Sequence, residues 1–278
     1  MQILTSPQEM MQWRQTQLGT VGFIPTMGAL HEGHAELIRQ SVKNNDRTVL
    51  SIFVNSPQFN DRRDFEVYPR TFDSDTSLAD TLKVDAIYAP TQESMYPNGL
   101  VVAVEPGITS VPMEGTSRPG HFRGVATVVV KLLNAVEPTH AYFGRKDFQQ
   151  LAVVKEVVRE LNMRTTVVGV PTVRDYDGLA LSSRNVRLSP VHRAKADVIW
   201  KSLQAGLQEF SAGERRSTQI ANVVARTLSS EPECNVEYVS LCDAQTLVTH
   251  QTITSDSVIC VAARFGDVRL IDNIELSI

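Results

Sequence analysis

The segment PTMGALHEGHAEL, residues 25 to 37, places His31 and His34 three apart across Gly33, between a strand-like apolar run and a helix-like one. At a helix start, unpaired backbone N–H groups and the positive end of the helix dipole favour an anion. Gly28 and Gly33 would let the backbone approach such a ligand closely, and both imidazoles could donate to phosphate oxygens. That chemistry suits a triphosphate whose bridging oxygen gathers charge as it leaves. Two other readings compete. An isolated loop histidine is more often structural or merely exposed. A zinc site would want the i,i+4 spacing of HExxH and a third ligand, and HEGH offers neither, so the anion reading leads.

Four other stretches carry residues of chemical interest. SIFVNSPQF closes a strand-like run with Asn55 and Gln58, amides able to hold a small polar acid without adding charge, or simply to satisfy a loop. YPRTFDSD brings Asp73 and Asp75 to a helix start. Acids there are usually caps, and Asp73 is read as one. A magnesium ion carried by phosphates needs only one or two protein carboxylates, so a single acid is chemically sufficient. In YFGRKDFQQ, Gly144 permits close approach, Lys146 offers a point charge, Asp147 could accept from a ribose hydroxyl, and Gln150 lies one helical turn past Lys146. A lone Lys-Asp pair is more often a solvated ion pair, so the weight rests on the whole string. LALSSRNVRLS groups Ser182, Ser183 and Arg184, which could grip phosphate oxygens or form an ordinary cap or turn. His121 and Arg123, in TSRPGHFRGVATVV, are read as loop or interface residues, and His140, His192 and His250 as structural.

The elements that must position these residues show in the hydrophobic rhythm. Strand-like runs at TVGFIPT, TVLSIFVN, DAIYAP, VVAVE, HAYFG and RTTVVGVP alternate with helical patterns such as HAELIRQSVKNN, DSDTSLADTLK, GVATVVVKLLNAV and DFQQLAVVKEVVRELN. Such alternation predicts an α/β fold, a Rossmann-like parallel sheet with helices on both faces. Ligands in such sheets sit at the carboxyl ends of strands, where the histidine loop falls. After about residue 175 come two helical segments, residues 190–210 and 217–229, and then three strand-like runs, NVEYVSLC, SVICVAARF and VRLIDNIEL. The expected organisation is a first domain over 1–175 and a smaller C-terminal α+β domain over 176–278.

A net charge of −4 argues against a surface built for nucleic acid, so any phosphate chemistry must rest on a few placed cations. Three scattered cysteines fit reduced, packed thiols and a cytoplasmic location better than a disulfide framework. No window is apolar enough to span a bilayer, so no membrane role is expected.

GALHEGH resembles the H-x-G-H signature of the nucleotidylyltransferase superfamily, and PTMGALHEGH is similar to the form found in the pantothenate synthetase (pantoate:β-alanine ligase) family. The other blocks follow the same family, through to the C-terminal ARFGDVRLIDNIEL, with departures: proline one place late at Ser56-Pro57, Arg123 for Asp, Arg145 for Glu or Gln, Leu181 for Met and Arg187 for Tyr. The resemblance implies ATP-dependent condensation of pantoate with β-alanine through a pantoyl adenylate, with Mg²⁺ accompanying ATP. It implies a homodimer whose first domain binds nucleotide and pantoate and whose second acts as a lid. It assigns Met27, Gly28, His31, Gly33 and His34 to ATP, as it does Gly144, Arg145, Lys146 and Asp147, and Val173 through its backbone. Leu181, Ser182, Ser183 and Arg184 join the same set. Gln58 is assigned to pantoate and β-alanine, Gln150 and Asn55 to substrate, and Asp75 to Mg²⁺. His31, His34, Lys146, Ser183 and Arg184 carry the catalytic roles. The competing functions are a nucleotidylyltransferase that leaves AMP or CMP on another acceptor, and a non-catalytic nucleotide-binding module.

Overall fold

In the computed structural model, which describes residues 1–278, six short strands pair into one sheet. They are β1 (Gln2–Leu4), β2 (Val21–Thr26), β3 (Arg47–Ile52), β4 (Ala86–Tyr88), β5 (His140–Gly144) and β6 (Thr166–Val170), in the order β1-β4-β3-β2-β5-β6 and parallel throughout. The helices of this region are α1 (Pro7–Gln15), α2 (Glu32–Asn44), α3 (Arg62–Glu66), α4 (Phe72–Thr81), α5 (Gln92–Met95), α6 (Glu114–Ser117), α7 (His121–Val136) and α8 (Phe148–Glu160). The remaining elements are α9 (Pro190–Lys195), α10 (Val198–Ser211), α11 (Ser217–Ser229) and the antiparallel sheet of β7 (Cys234–Asp243), β8 (Ser257–Phe265) and β9 (Val268–Leu276). Contacts divide the chain into two units. The first comprises Met1–Arg145 and Gln150–Pro171, the second Lys146–Gln149 and Thr172–Ile278.

The first unit is layered because its strands alternate by two while both faces are apolar. Val21, Phe23, Val49, Ala86, Tyr88, Ala141 and Phe143 point to one core with residues of α1, α7 and α8. Ile24, Leu50, Ile87 and Tyr142 point to the other, with Leu37 and Ile38 of α2 and Ala79 of α4. Helix α7 is buried around most of its circumference, as its nearly unbroken apolar sequence requires. In the second unit, Leu203, Ile220, Val224 and Leu228 of α10 and α11 cover Ile259, Val261 and Phe265 of β8. Gly206 permits that packing, since a Cβ there would stand 2.7 Å from Val224 and 2.8 Å from Ile259.

The α/β fold with a smaller α+β part is as the sequence implied, with three local differences. Residues 101–105 form no strand: Val101 and Val102 are exposed and the N–H of Val104 donates to Thr127 Oγ1 instead of to a ladder. The helical stretch 190–210 is two helices, because at Ala196 the hydrogen bonds slip to i→i−3, Ile199 N donating to Ala196 O. The edge strand β1 has no counterpart in the hydrophobic rhythm; its three residues are too few to show a period.

Candidate functional site

Strand β2 lies where the strand order reverses, with β3 on one side and β5 on the other, the position at which open parallel sheets bind ligands beyond their carboxyl ends. The chain leaves β2 through two successive left-handed residues, Gly28 (φ +82°) and Ala29 (φ +50°). A non-glycine residue held there needs outside support, and Asp75 of α4 supplies it. Its Oδ2 accepts from Ala29 N at 2.9 Å, its Oδ1 accepts from Leu30 N at 2.8 Å, and Thr71 Oγ1 donates at 3.1 Å. The carboxylate is buried, and Gly28 is required partly because a Cβ there would approach Asp75 Oδ2 to 3.0 Å.

The two histidines then cap α2 reciprocally. His31 Nδ1 accepts from Gly33 N at 3.1 Å, and His34 Nδ1 accepts from His31 N at 3.3 Å, a capping box built from imidazoles. Gly33 is needed for this too, as a Cβ would fall 2.8 Å from the His31 ring. The rings lie 4.1 Å apart between centroids, tilted by 43°. Because both Nδ1 atoms accept from backbone N–H groups, each neutral ring must carry its hydrogen on Nε2. The pair therefore holds two Nε2–H donors at the end of a helix whose dipole already favours negative charge.

A cluster of amides follows β3. Asn55, buried, donates from Nδ2 to Gln58 Oε1 at 3.0 Å and to Gly124 O at 3.2 Å, while its Oδ1 accepts from Tyr96 O–H at 2.7 Å. Burial holds the Tyr96 hydroxyl well up, to about 12, so it remains a donor. Gln58 Nε2 rests on Met27 Sδ at 3.2 Å. A thioether is a weak acceptor, so this N–H can be exchanged for a carboxylate or hydroxyl at little cost. The sequence named Met27, Asn55 and Gln58 separately; the structure joins them, and adds Tyr96, which sequence reasoning missed because it lies 41 residues from Asn55. Also in this unit, Gly144 closes β5, the Arg145 side chain donates to Gly169 O at 3.4 Å, and Gln150 is half-buried on α8.

The second unit holds the remaining named residues. Lys146 and Asp147 form a 3.5 Å ion pair, with 18% of the Lys146 side chain exposed. The Lys146 carbonyl accepts from Asn273 Nδ2 of β9 at 2.8 Å. Next to Asn273, the buried Asp272 takes a bidentate pair from Arg174 at 2.6 and 3.0 Å, and Arg174 also donates to Gly178 O and Asn273 O and stacks on Trp200 at 3.7 Å. Burial raises the Asp272 carboxyl against the opposing pull of Arg174. Val173 O accepts from Leu181 N at 3.0 Å, and Asn185 Nδ2 donates to Ala180 O at 3.0 Å, so the stretch bearing Leu181, Ser182, Ser183 and Arg184 is tied to the Val173 turn. Ser182 Oγ accepts from Arg184 N at 3.3 Å, which is turn chemistry. Asn273 and Asp272 stand in the sequence only within a longer block; nothing in their spacing links them to Lys146.

Magnesium fits the donor set poorly. Both Asp75 oxygens are committed to Ala29, Leu30 and Thr71, and direct ligation would leave two backbone N–H groups unpaired. No group of three or more His, Cys, Asp or Glu side chains is placed to hold a metal, and no helix is long and apolar enough to cross a membrane.

Residues 2–275 match the family model of pantoate–β-alanine ligase. A pantothenate synthetase of Heliobacterium modesticaldum is 43% identical over 281 residues and one of Bdellovibrio bacteriovorus 46% identical over 275, with 100% and 99% of this chain covered and the same shares of theirs. The crystal structure of pantothenate synthetase from Thermus thermophilus superposes with a TM-score of 0.93 at 41% identity, covering 99% of each chain. That of the Francisella tularensis ligase complexed with β,γ ATP and β-alanine gives 0.83 at 34%, covering 99% of this chain and 97% of its own.

Proposed function

This chain belongs to the pantoate–β-alanine ligase family, and on that premise we propose that it condenses pantoate with β-alanine, driven by cleavage of ATP to AMP and pyrophosphate. The supporting observation is the imidazole capping box, which fixes two Nε2–H donors at the N-terminus of α2 beyond the switch-point strand. A pantoate carboxylate oxygen attacks the α-phosphorus, the bond from that phosphorus to the bridging oxygen breaks, and pyrophosphate leaves. The β-alanine amine then attacks the acyl carbon of the adenylate, the carbon–oxygen bond to AMP breaks, and the amine proton passes to solvent. The substrate supplies the nucleophile, so the protein's work is positioning and stabilisation of charge. His34 donates a hydrogen bond to the departing oxygen, and His31, Lys146, Ser183 and Arg184 stabilise the other phosphate oxygens. Asn55, Gln58 and Gln150 seat the acid and the amine. Met27, Gly28, Gly33, Gly144, Arg145, Asp147, Val173, Leu181 and Ser182 complete the nucleotide's surroundings.

Mg²⁺ bound to the ATP phosphates would supply neutralisation of their charge. Asp75 acts as the anchor of the loop at 28–30. The exposed Val101, Val102, Ile108 and Val111 support a homodimer formed through the first unit, testable by light scattering. The three buried free thiols support a reducing, cytoplasmic compartment. The deciding experiment is pyrophosphate release from ATP, Mg²⁺ and pantoate, with and without β-alanine. Pantoate-dependent pyrophosphate, with AMP release requiring both acceptors, is expected. ATP binding with no pantoate-dependent pyrophosphate would leave a nucleotide-binding module, and AMP retained on another acceptor would make the chain a nucleotidylyltransferase.

A further inference from the structure

The motif RPGHFRG, which the reaction scheme leaves unused, sits behind Gln58. His121 is buried at 6% exposure, and its Nδ1 lies 2.8 Å from the Gln58 carbonyl oxygen. Its Nε2 lies 3.2 Å from Arg118 Nη1, and Arg118 Nη2 donates to the same Gln58 carbonyl at 3.3 Å. Behind Arg118 stands Glu114, also buried, 3.6 Å from the guanidinium. A guanidinium only donates and a carbonyl only accepts, so His121 Nε2 must be the acceptor and Nδ1 must carry the hydrogen. One neutral tautomer is thus selected, and the Glu114–Arg118–His121 chain ends in two donors on a single backbone oxygen.

Packing makes the same point from the other side. Gly124, one turn further along α7, has no Cβ because one would fall 2.5 Å from Pro57 O and 2.7 Å from Gln58 Cα, both backbone atoms. Its carbonyl also accepts from Asn55. The first turns of α7 therefore grip the backbone of residues 57 and 58, leaving the Gln58 amide to Asn55 and Met27.

We propose that His121, oriented by Arg118 and Glu114, is a positioning residue for acceptor binding: it sets the backbone of Gln58 so that the side-chain amide meets pantoate and β-alanine. The inference rests on the assignment of Gln58 to those two substrates. The chain of donors makes no claim on ATP, and its effect is selective for that reason.

The test is steady-state kinetics of His121→Phe, which keeps a ring but removes both nitrogens, beside His121→Asn, which restores one amide donor, and Gln58→Ala. His121→Phe is expected to raise KM for pantoate and for β-alanine by roughly tenfold, the scale of one misplaced hydrogen bond, while KM for ATP moves less than about twofold. His121→Asn is expected to recover most of the loss. If His121→Phe fails to fold, Arg118→Leu, which removes the second donor from a partly exposed position, carries the same test with a smaller selective rise. Parallel changes for all three substrates, or none, in a folded variant would overturn the proposal while leaving Gln58 its role. A Gln58→Ala enzyme with unaltered acceptor KM would instead overturn that role, and the proposal with it.

Discussion

The two units hold their chemical residues in opposite ways. In the first, the side chains named for chemistry are themselves structural: His31 and His34 cap the helix they stand on, and Asn55 and Gln58 bond to each other. In the second, it is backbone that is fixed. Asn273 holds the carbonyl of Lys146, Leu181 holds that of Val173, and Arg174 holds that of Gly178. Preorganisation and chemistry are therefore fused in the first unit and separable in the second. A substitution in the first unit should cost stability and rate together, whereas in the second the two can be removed one at a time.

The largest expected effect tests the fused case. His34→Ala should slow adenylate formation by roughly 10²- to 10³-fold, as loss of one donor to a developing oxyanion does. It should also lose on the order of 1 kcal/mol of stability, because a cap goes with it. Pyrophosphate release in single turnover and a thermal melt measure the two halves. A slow enzyme with an unchanged melt would separate what the capping box joins.

Asp75→Asn comes next. An amide can accept from one of the two loop N–H groups but faces the other with its own NH₂, leaving a buried donor unpaired at about 1–3 kcal/mol. The melting temperature should fall by several degrees, and turnover should fall because the loop carries His31 and His34. The Mg²⁺ concentration for half-maximal activity should not move. A large shift in that concentration with an intact melt would make Asp75 a ligand and undo its role as anchor.

Asn273→Ala tests separability at a smaller scale. Losing one hydrogen bond to the Lys146 carbonyl should lower kcat/KM for ATP by roughly tenfold, with little change for β-alanine. Made in a Lys146→Ala background it should do almost nothing more, since it acts through that residue. Additive losses in the double variant would show that Asn273 matters for some other reason.

The same contrast explains what the sequence could and could not reveal. Strands β2 to β6 and the three strands of the second unit were legible because each is a short β-rich run bounded by turns or polar breaks. The valines at 101–105 misled, since β propensity needs a neighbouring strand to act on and Val104 has a threonine hydroxyl instead. The chemical residues themselves stood out by type and spacing. Their supports did not: Asp75 acts 46 residues from Ala29, His121 acts 63 from Gln58, and Asn273 acts 127 from Lys146. The capping box was in plain sight at i,i+3, but histidine is not a usual cap, so the spacing suggested only a ligand.

The smallest effect concerns acid, and it sets a turn of the second unit apart. Asp243, accepting from Ser255 Oγ and from Thr246 and Gln245, has its carboxyl lowered to about 2. A depressed carboxyl contributes stability that is complete above the unfolded value near 4 and is lost as pH falls through the folded one. The melt should therefore soften between pH of about 4 and about 2, and Asp243→Asn should flatten that decline while starting from a lower melting temperature at neutral pH. The group is only half-buried, so solvent screening keeps the effect small. Hydrogen exchange locates the change: amides of the 243–256 turn should speed up over that pH range in the parent and not in Asp243→Asn. Equal loosening in parent and variant would mean that acid acts on the fold as a whole and that Asp243 has no separate part in it.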